Sequence, residues 1–253
     1  MALLELRNVS KHFGGLSAIH ALDMSARDGE IVGLIGPNGA GKTTVFNVIT
    51  GVYQPDSGQV LLDGERIGGL APHLIARRGI VRTFQTTTLF SGLTVLDNVR
   101  VGLHLLARTG LAEAVFNTRS YRLKESSLDQ TAREIMSFLG LRGLESELAR
   151  NLPYGHQRRL SICVALAAAP RFLLLDEPLA GMNPKEVTGM MDLIRSIRDQ
   201  RGIGVVLVEH NMRAVTSLCE RIVVLNFGEK IAEGTAAEIR DDPRVIDAYL
   251  GKG

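Results

Sequence analysis

One octapeptide constrains this chain more than any other feature. Gly36-Pro37-Asn38-Gly39-Ala40-Gly41-Lys42-Thr43 fits the pattern G-x-x-x-x-G-K-[ST]. Composition alone would give such a match in on the order of one chain per hundred of this length, so the flanking residues decide. Ile31-Val32-Gly33-Leu34-Ile35 precedes it, short and continuously apolar as a buried strand is. A helix is expected after it, from about Thr43 to Thr50. Such a loop curls so that several backbone N–H groups point inward, and the helix start adds the positive end of its dipole. Lys42 puts a cation on terminal phosphates and Thr43 offers a hydroxyl to Mg²⁺. Candidate nucleotide-binding residues are therefore Gly36, Pro37, Asn38, Gly39, Ala40, Gly41, Lys42 and Thr43, with Thr44 next to them. A phosphate loop does not say what is done with the phosphate, so the rest of the chain must.

The remaining pattern alternates. Extended stretches are expected over Leu3 to Val9, Leu16 to Ala26, Gln59 to Leu62, Ile80 to Phe84, Phe172 to Asp176, Val205 to Glu209 and Arg221 to Asn226. Helices are expected over Pro72 to Arg78, Gly155 to Ala169, Pro184 to Arg201 and Met212 to Cys219, with small ones near Ala236 and Val245. Strands alternating with helices imply a largely parallel sheet covered on both faces. From about Thr94 to Gly140 the texture turns helical. Thr94 can cap the segment Val95 to Leu106, and Leu128, Ala132, Ile135, Met136 and Leu139 recur at helical spacing. The stretch from Arg108 to Ser127 is mixed and polar and is left unassigned.

The 253 residues are ample for a sizeable core, and the net charge of +2 gives no electrostatic grip on nucleic acid. No run reaches the roughly 18 apolar residues of a membrane span, and no signal-peptide shape opens the chain. Cys163 and Cys219 lie in no metal-ligand spacing and read as core thiols in a reducing compartment.

Two carboxylates, Asp176 and Glu177, close the apolar strand that starts at Phe172. The carboxyl end of a parallel strand is where ligands bind. There Asp176 would hold Mg²⁺ and Glu177 would orient the attacking water, because phosphoryl transfer needs mainly positioning and charge neutralisation. His210 follows the strand at Val205 and would project from the same edge towards the γ-phosphate.

In this order the pieces resemble the ABC ATPase family over essentially the whole chain. The resemblance makes Phe13 the aromatic residue that stacks on adenine. It makes Gln85 the glutamine loop that senses Mg²⁺ and the γ-phosphate. Pro153, Tyr154, Gly155, His156 and Gln157 stand where the family has its Leu-Ser-Gly-Gly-Gln signature, which acts on ATP held by a partner subunit. Pro153 replaces a serine, Tyr154 a glycine, and Asn183 the aspartate of the loop at Ala180. The implied fold is the α/β P-loop NTPase of an ABC ATPase. It has a mostly parallel core sheet, an antiparallel β subdomain and an inserted helical subdomain. The single domain would fill 1–253, with a nucleotide-binding core at 1–91 and 160–253 and a helical signature subdomain at 92–159.

Tyr154-Gly155, Gln157-Arg158-Arg159, Gly181-Met182-Asn183-Pro184, Val208-Glu209-His210-Asn211-Met212 and the tail near Asp247-Ala248-Tyr249-Leu250-Gly251 narrow the likeness. They are similar to the larger ATPase of branched-chain amino acid importers. That implies ATP and Mg²⁺ as cofactors, two permease subunits and an extracytoplasmic solute-binding protein. It also implies a second ATPase, different from this one or an identical copy, and a peripheral place on the cytoplasmic face of the inner membrane. Phe84, Leu89 and Phe90 offer an apolar surface for the permease. The competing readings are weaker. Lipopolysaccharide-export ATPases keep Ser-Gly-Gly in the signature. Non-transport relatives in DNA repair or translation carry tandem domains, coiled coils or zinc motifs, and a metabolic kinase would need an acceptor site.

Overall fold

A computed structural model of the chain describes residues 3–83, 89–104 and 119–250, with side chains described except at 119–124 and 250. Two units emerge, one formed by Met1–Arg82 with Arg171–Gly253 and the other by Thr83–Pro170.

The first unit is built on two sheets. The larger has the order β10-β9-β3-β8-β7-β6, from strands β3 (Ile31–Ile35), β6 (Ile80–Thr83), β7 (Phe172–Asp176), β8 (Gly204–Val208), β9 (Arg221–Asn226) and β10 (Glu229–Gly234). β7, β8, β3 and β9 run parallel, and β10 turns back antiparallel on β9. Every residue of β3, β7 and β8 is buried, which is what their unbroken apolar runs require. The smaller sheet has the order β2-β1-β4-β5, from β1 (Leu3–Phe13), β2 (Leu16–Arg27), β4 (Ser57–Leu62) and β5 (Glu65–Arg66). It is antiparallel throughout. Leu4 and Leu6 point inward from β1 opposite Leu62 and Val60, so one face joins the core and the other stays wet. Helix α1 (Lys42–Ile49) drives Phe46 into that shared core, and Phe172 enters it from β7. Burying each such ring contributes about 2–3 kcal/mol.

Helices α2 (Pro72–Arg77), α6 (Pro184–Arg201), α7 (Met212–Leu218), α8 (Ala236–Asp241) and α9 (Pro243–Leu250) complete this unit. Asn183 caps α6 in a reciprocal capping box with Glu186. The asparagine that departs from the family's aspartate therefore keeps the cap.

The second unit packs α3 (Val95–His104), α4 (Arg119–Phe138) and α5 (Tyr154–Ala167) together. Thr94 caps α3 through the Asp97 N–H, as expected from the sequence. α3 is described to His104, so the expected extension to Leu106 lies outside the described residues, as does most of 108–127. Ala132, Ile135, Met136 and Leu139 are buried, while Leu128 is half-buried at the edge of the same stripe. Asn98, buried on α3, accepts from the Phe90 N–H at 2.8 Å and donates to Phe90 O and Thr94 O. It holds the loop before α3 in place with Phe90 exposed.

Three strands differ from the sequence reading, one of them the two-residue β5 (Glu65–Arg66), too short to show a period. β1 continues to Phe13 rather than ending near Val9, because its second half keeps pairing with β2 across register shifts. β10 carries no apolar run, since Ala232 is its one buried residue.

Candidate functional site

The phosphate loop joins β3 to α1, and its glycines are there for steric reasons. Gly36 has φ +152, and a Cβ on it would stand 2.1 Å from Leu225 O. Gly41 is the N-cap of α1 at φ +102, where a Cβ would stand 2.4 Å from Ala18 O. No other residue fits at either point. α1 opens with no side-chain cap, so its first turn is left for a ligand to complete. Ala40 O accepts from the Gly228 N–H at 3.0 Å, and Gly228 O accepts from the His20 N–H at 2.9 Å. The β9–β10 turn is thereby clipped between the loop and β2.

Lys42 is buried, and its Nζ donates to Gly36 O at 2.7 Å and Pro37 O at 2.9 Å. Burial holds its pKa below the ordinary lysine range, while the charges of Glu177 and Asp176 push the other way. A cleft of about 350 Å³ lies over the loop. Asn38, Gly39, Ala40, Gly41, Lys42, Thr43 and Thr44 form its floor, with Phe13 on one wall and Glu177 and His210 on another. That volume suits a compact small-molecule ligand. Phe13, 42% exposed at the end of β1, stacks edge-on against Tyr53 at 5.1 Å, leaving part of the ring to solvent.

The two strand ends converge as expected. The Glu177 N–H donates to Val208 O at 2.9 Å, and the residue sits at φ +47, which costs about 1–3 kcal/mol in a non-glycine residue. His210 Nε2 lies 3.1 Å from Glu177 Oε1. Asp176 is buried, and its Oδ2 accepts from Arg82 at 2.5 Å. Arg82 also donates to Asn47 on α1 at 2.6 Å and lies 5.3 Å from the Phe46 ring centre. Sequence reading did not single out Arg82. The available signal was a basic residue within the short strand Ile80–Thr83, but its partner lies 94 residues away. Phe227, exposed at φ +45 on the β9–β10 turn, lines the same cleft and was also missed.

Gln85 and Phe84 lie outside the described residues. Pro153, Tyr154, Gly155, His156 and Gln157 lie in the second unit at the start of α5. Pro153 is the N-cap, again with no side-chain cap. The Tyr154 hydroxyl accepts from the buried Arg158 at 2.9 Å, and Gln157 donates to Leu152 O at 2.9 Å.

The family model described as ABC transporter matches residues 19–180, more than half of the chain. The chain belongs to the ABC transporter family. As an ABC protein it is an ATPase of the transport-coupled type, and a second model, described as branched-chain amino acid ATP-binding cassette transporter, matches residues 229–253. It is similar to the high-affinity branched-chain amino acid transport ATP-binding protein BraF of Pseudomonas aeruginosa. The two are 43% identical over 250 residues, covering 99% of this chain and 98% of BraF. LivG of Escherichia coli, described in the same words, is 42% identical with the same coverage. The lipopolysaccharide export system ATP-binding protein LptB of Escherichia coli is 37% identical, covering 100% and 98%. Among solved structures, the ADP conformation of the ATP-binding cassette MJ1267 matches at 30% identity and a TM-score of 0.87, covering both chains fully. The dimeric bacterial cassette MJ0796 matches at 26% identity and 0.78, covering 92% and 98%.

Proposed function

We propose that this ABC chain hydrolyses ATP to drive import of branched-chain amino acids or a related small polar solute. The observation that carries the hydrolysis is that Lys42, Glu177 and His210 line one cleft, with Glu177 and His210 3.1 Å apart. Lys42 exchanges its loop carbonyls for the terminal phosphates, and Phe13 packs on the base. Glu177 orients water, and His210 donates to the γ-phosphate. The hydroxyl of Thr43, the carboxylate of Asp176 and the amide of Gln85 would hold Mg²⁺, each offering the oxygen ligand that this cation takes. When bound there, Mg²⁺ neutralises phosphate charge.

Import rather than export is supported by the tail model at 229–253 and by the higher identity to BraF and LivG than to LptB. The departures at Pro153 and Tyr154 point the same way. On this reading the signature of α5 serves ATP on a second ATPase subunit, different or identical. The helical region 92–159 with Leu89 and Phe90 meets two permeases, and a solute-binding protein works outside. The chain would sit peripherally on the cytoplasmic face of the membrane. Among the described residues no helix is long and apolar enough to cross it.

Two measurements test this. Glu177→Gln keeps nucleotide binding and loses turnover by at least about a hundredfold, the scale for losing a water-orienting or polar transition-state group. Wild-type turnover would remove Glu177 from that role. Affinity capture of a tagged copy from its native membrane should bring two permeases and a second ATPase. Exporter components would favour the lipopolysaccharide reading, and no membrane protein would end the transport reading.

A further inference from the structure

Glu209 closes β8 and stands just before His210. It is 4% exposed, which is rare for a carboxylate. Its partners explain the burial. Oε1 accepts from the Leu179 N–H at 2.8 Å, in the loop that leaves β7 through Glu177. Oε2 accepts from the His210 N–H at 3.1 Å, in the loop that leaves β8. The Asn211 N–H adds a third donor. One carboxylate therefore spans the two loops that bring Glu177 and His210 to 3.1 Å.

We propose that Glu209 is a positioning residue, whose carboxylate ties the loop after β7 to the loop after β8 and so sets Glu177 against His210. The proposal rests on the catalytic reading of Glu177 and His210 given above. A carboxylate suits this task because both its oxygens only accept. A glutamine has one accepting oxygen and would turn an NH₂ towards one of the N–H groups. Charge-assisted bonds to backbone N–H are also shorter and stronger than neutral ones. Holding reacting groups by buried supporting contacts is how a site keeps the tight geometry that catalysis needs.

Burial pushes the Glu209 carboxyl above the usual range, the backbone donors of Leu179, His210 and Asn211 oppose this, and the Glu177 charge adds to it. A folded pKa above the unfolded one means the native state binds more protons between the two values. Stability then falls as pH rises from the ordinary glutamate value of 4.5 through the folded one, so at neutral pH the ionised group costs stability. An amide removes that cost but sets its NH₂ against one backbone N–H, so the two effects on stability oppose each other while only the second disturbs the tie.

The test compares Glu209→Gln, Glu209→Asp and His210→Ala in the full-length chain, within the assembly that turns over ATP. Glu209→Gln is expected to lower kcat by about ten- to a hundredfold, with KM for ATP, the Kd for ADP and Tm little changed. Glu209→Asp, which keeps two accepting oxygens, recovers part of the rate. Combined with His210→Ala, the loss is smaller than the product of the single losses. A kcat at the wild-type level, equal losses in kcat and ADP binding, or a fully multiplicative double variant would overturn the proposal. Should Glu209→Gln fail to fold, amide exchange in the wild-type chain decides. Slow exchange at Leu179 and His210 supports the tie, and exchange as fast as in exposed loops refutes it. Wild-type turnover in Glu177→Gln would instead remove the catalytic reading beneath the proposal. Inactive Glu177→Gln beside fully active Glu209→Gln removes the proposal alone.

Discussion

Helices α1, α2 and α5 begin without a side-chain cap, whereas α6, α7 and α8 each begin with one, from Asn183, Asn211 and Thr235. The starts of α1 and α5 are built differently. At α1 the N-cap is a glycine in the left-handed region, and the cation of Lys42 rests on the loop's own carbonyls. At α5 the N-cap is Pro153 in an extended conformation, and the cation of Arg158 is engaged by Tyr154, one turn back on the same helix. The first start keeps its charge available for a ligand. The second spends its charge on itself and offers only backbone N–H groups and the dipole. A helix that binds phosphate in cis needs the former. One that only closes over phosphate held elsewhere can do without it, and on the proposed function the start of α5 is of that second kind.

The sharpest way to break this comparison is to remove the Lys42 cation. Lys42→Ala should cost at least about a hundredfold in ATP affinity by titration calorimetry, the scale for truncating one side of a buried charge pair. A loss under tenfold would mean that the backbone cradle of α1 suffices and the two starts are alike. Phe13→Ala follows. Losing base stacking is worth about 1–3 kcal/mol, so affinity should fall about tenfold with kcat held.

Tyr154→Phe tests the second start. Removing the hydroxyl that accepts from buried Arg158 should cost about 1–2 kcal/mol of stability in urea unfolding. Nucleotide affinity of the isolated chain should stay unchanged, and a large change there would contradict the division of labour. The smallest effect concerns acid. Hydrogen bonds from Leu3 N–H and then Arg171 hold the Asp63 carboxyl below its ordinary range. Hydrogen bonds from Lys11 and then the His12 N–H do the same for Asp56. Each contribution is present above the ordinary aspartate value of 3.8 and is lost as pH falls through the lower folded value. Asp63→Asn should therefore flatten the acid limb of a stability profile.

Local chemistry was readable in the sequence and distant pairing was not. The unbroken apolar runs of β3, β7 and β8 announce strands buried on both faces, and the glycines at 36 and 41 announce the loop. Helical spacing gave the buried stripe of Ala132, Ile135 and Met136 on α4 and Leu139 just past its end. β10 escaped because an edge strand with one buried residue has no periodic signature. The Arg82–Asp176 pair and the Glu209–Leu179 bond join residues 94 and 30 positions apart. Nothing in either local stretch names the partner. The identity of the family came from motif order, which packs many weak local signals into one chain-long likeness.

The grip of Lys42 on Gly36 O and Pro37 O also has a consequence for rates. The loop's shape is held by its own contacts, so on the proposed function an arriving nucleotide would meet a formed receptor and wait for no folding step. The ammonium needs only to trade two carbonyl oxygens for phosphate oxygens of like geometry. Capture should then proceed at the pace of encounter, and differences among nucleotides should appear in how long each one stays.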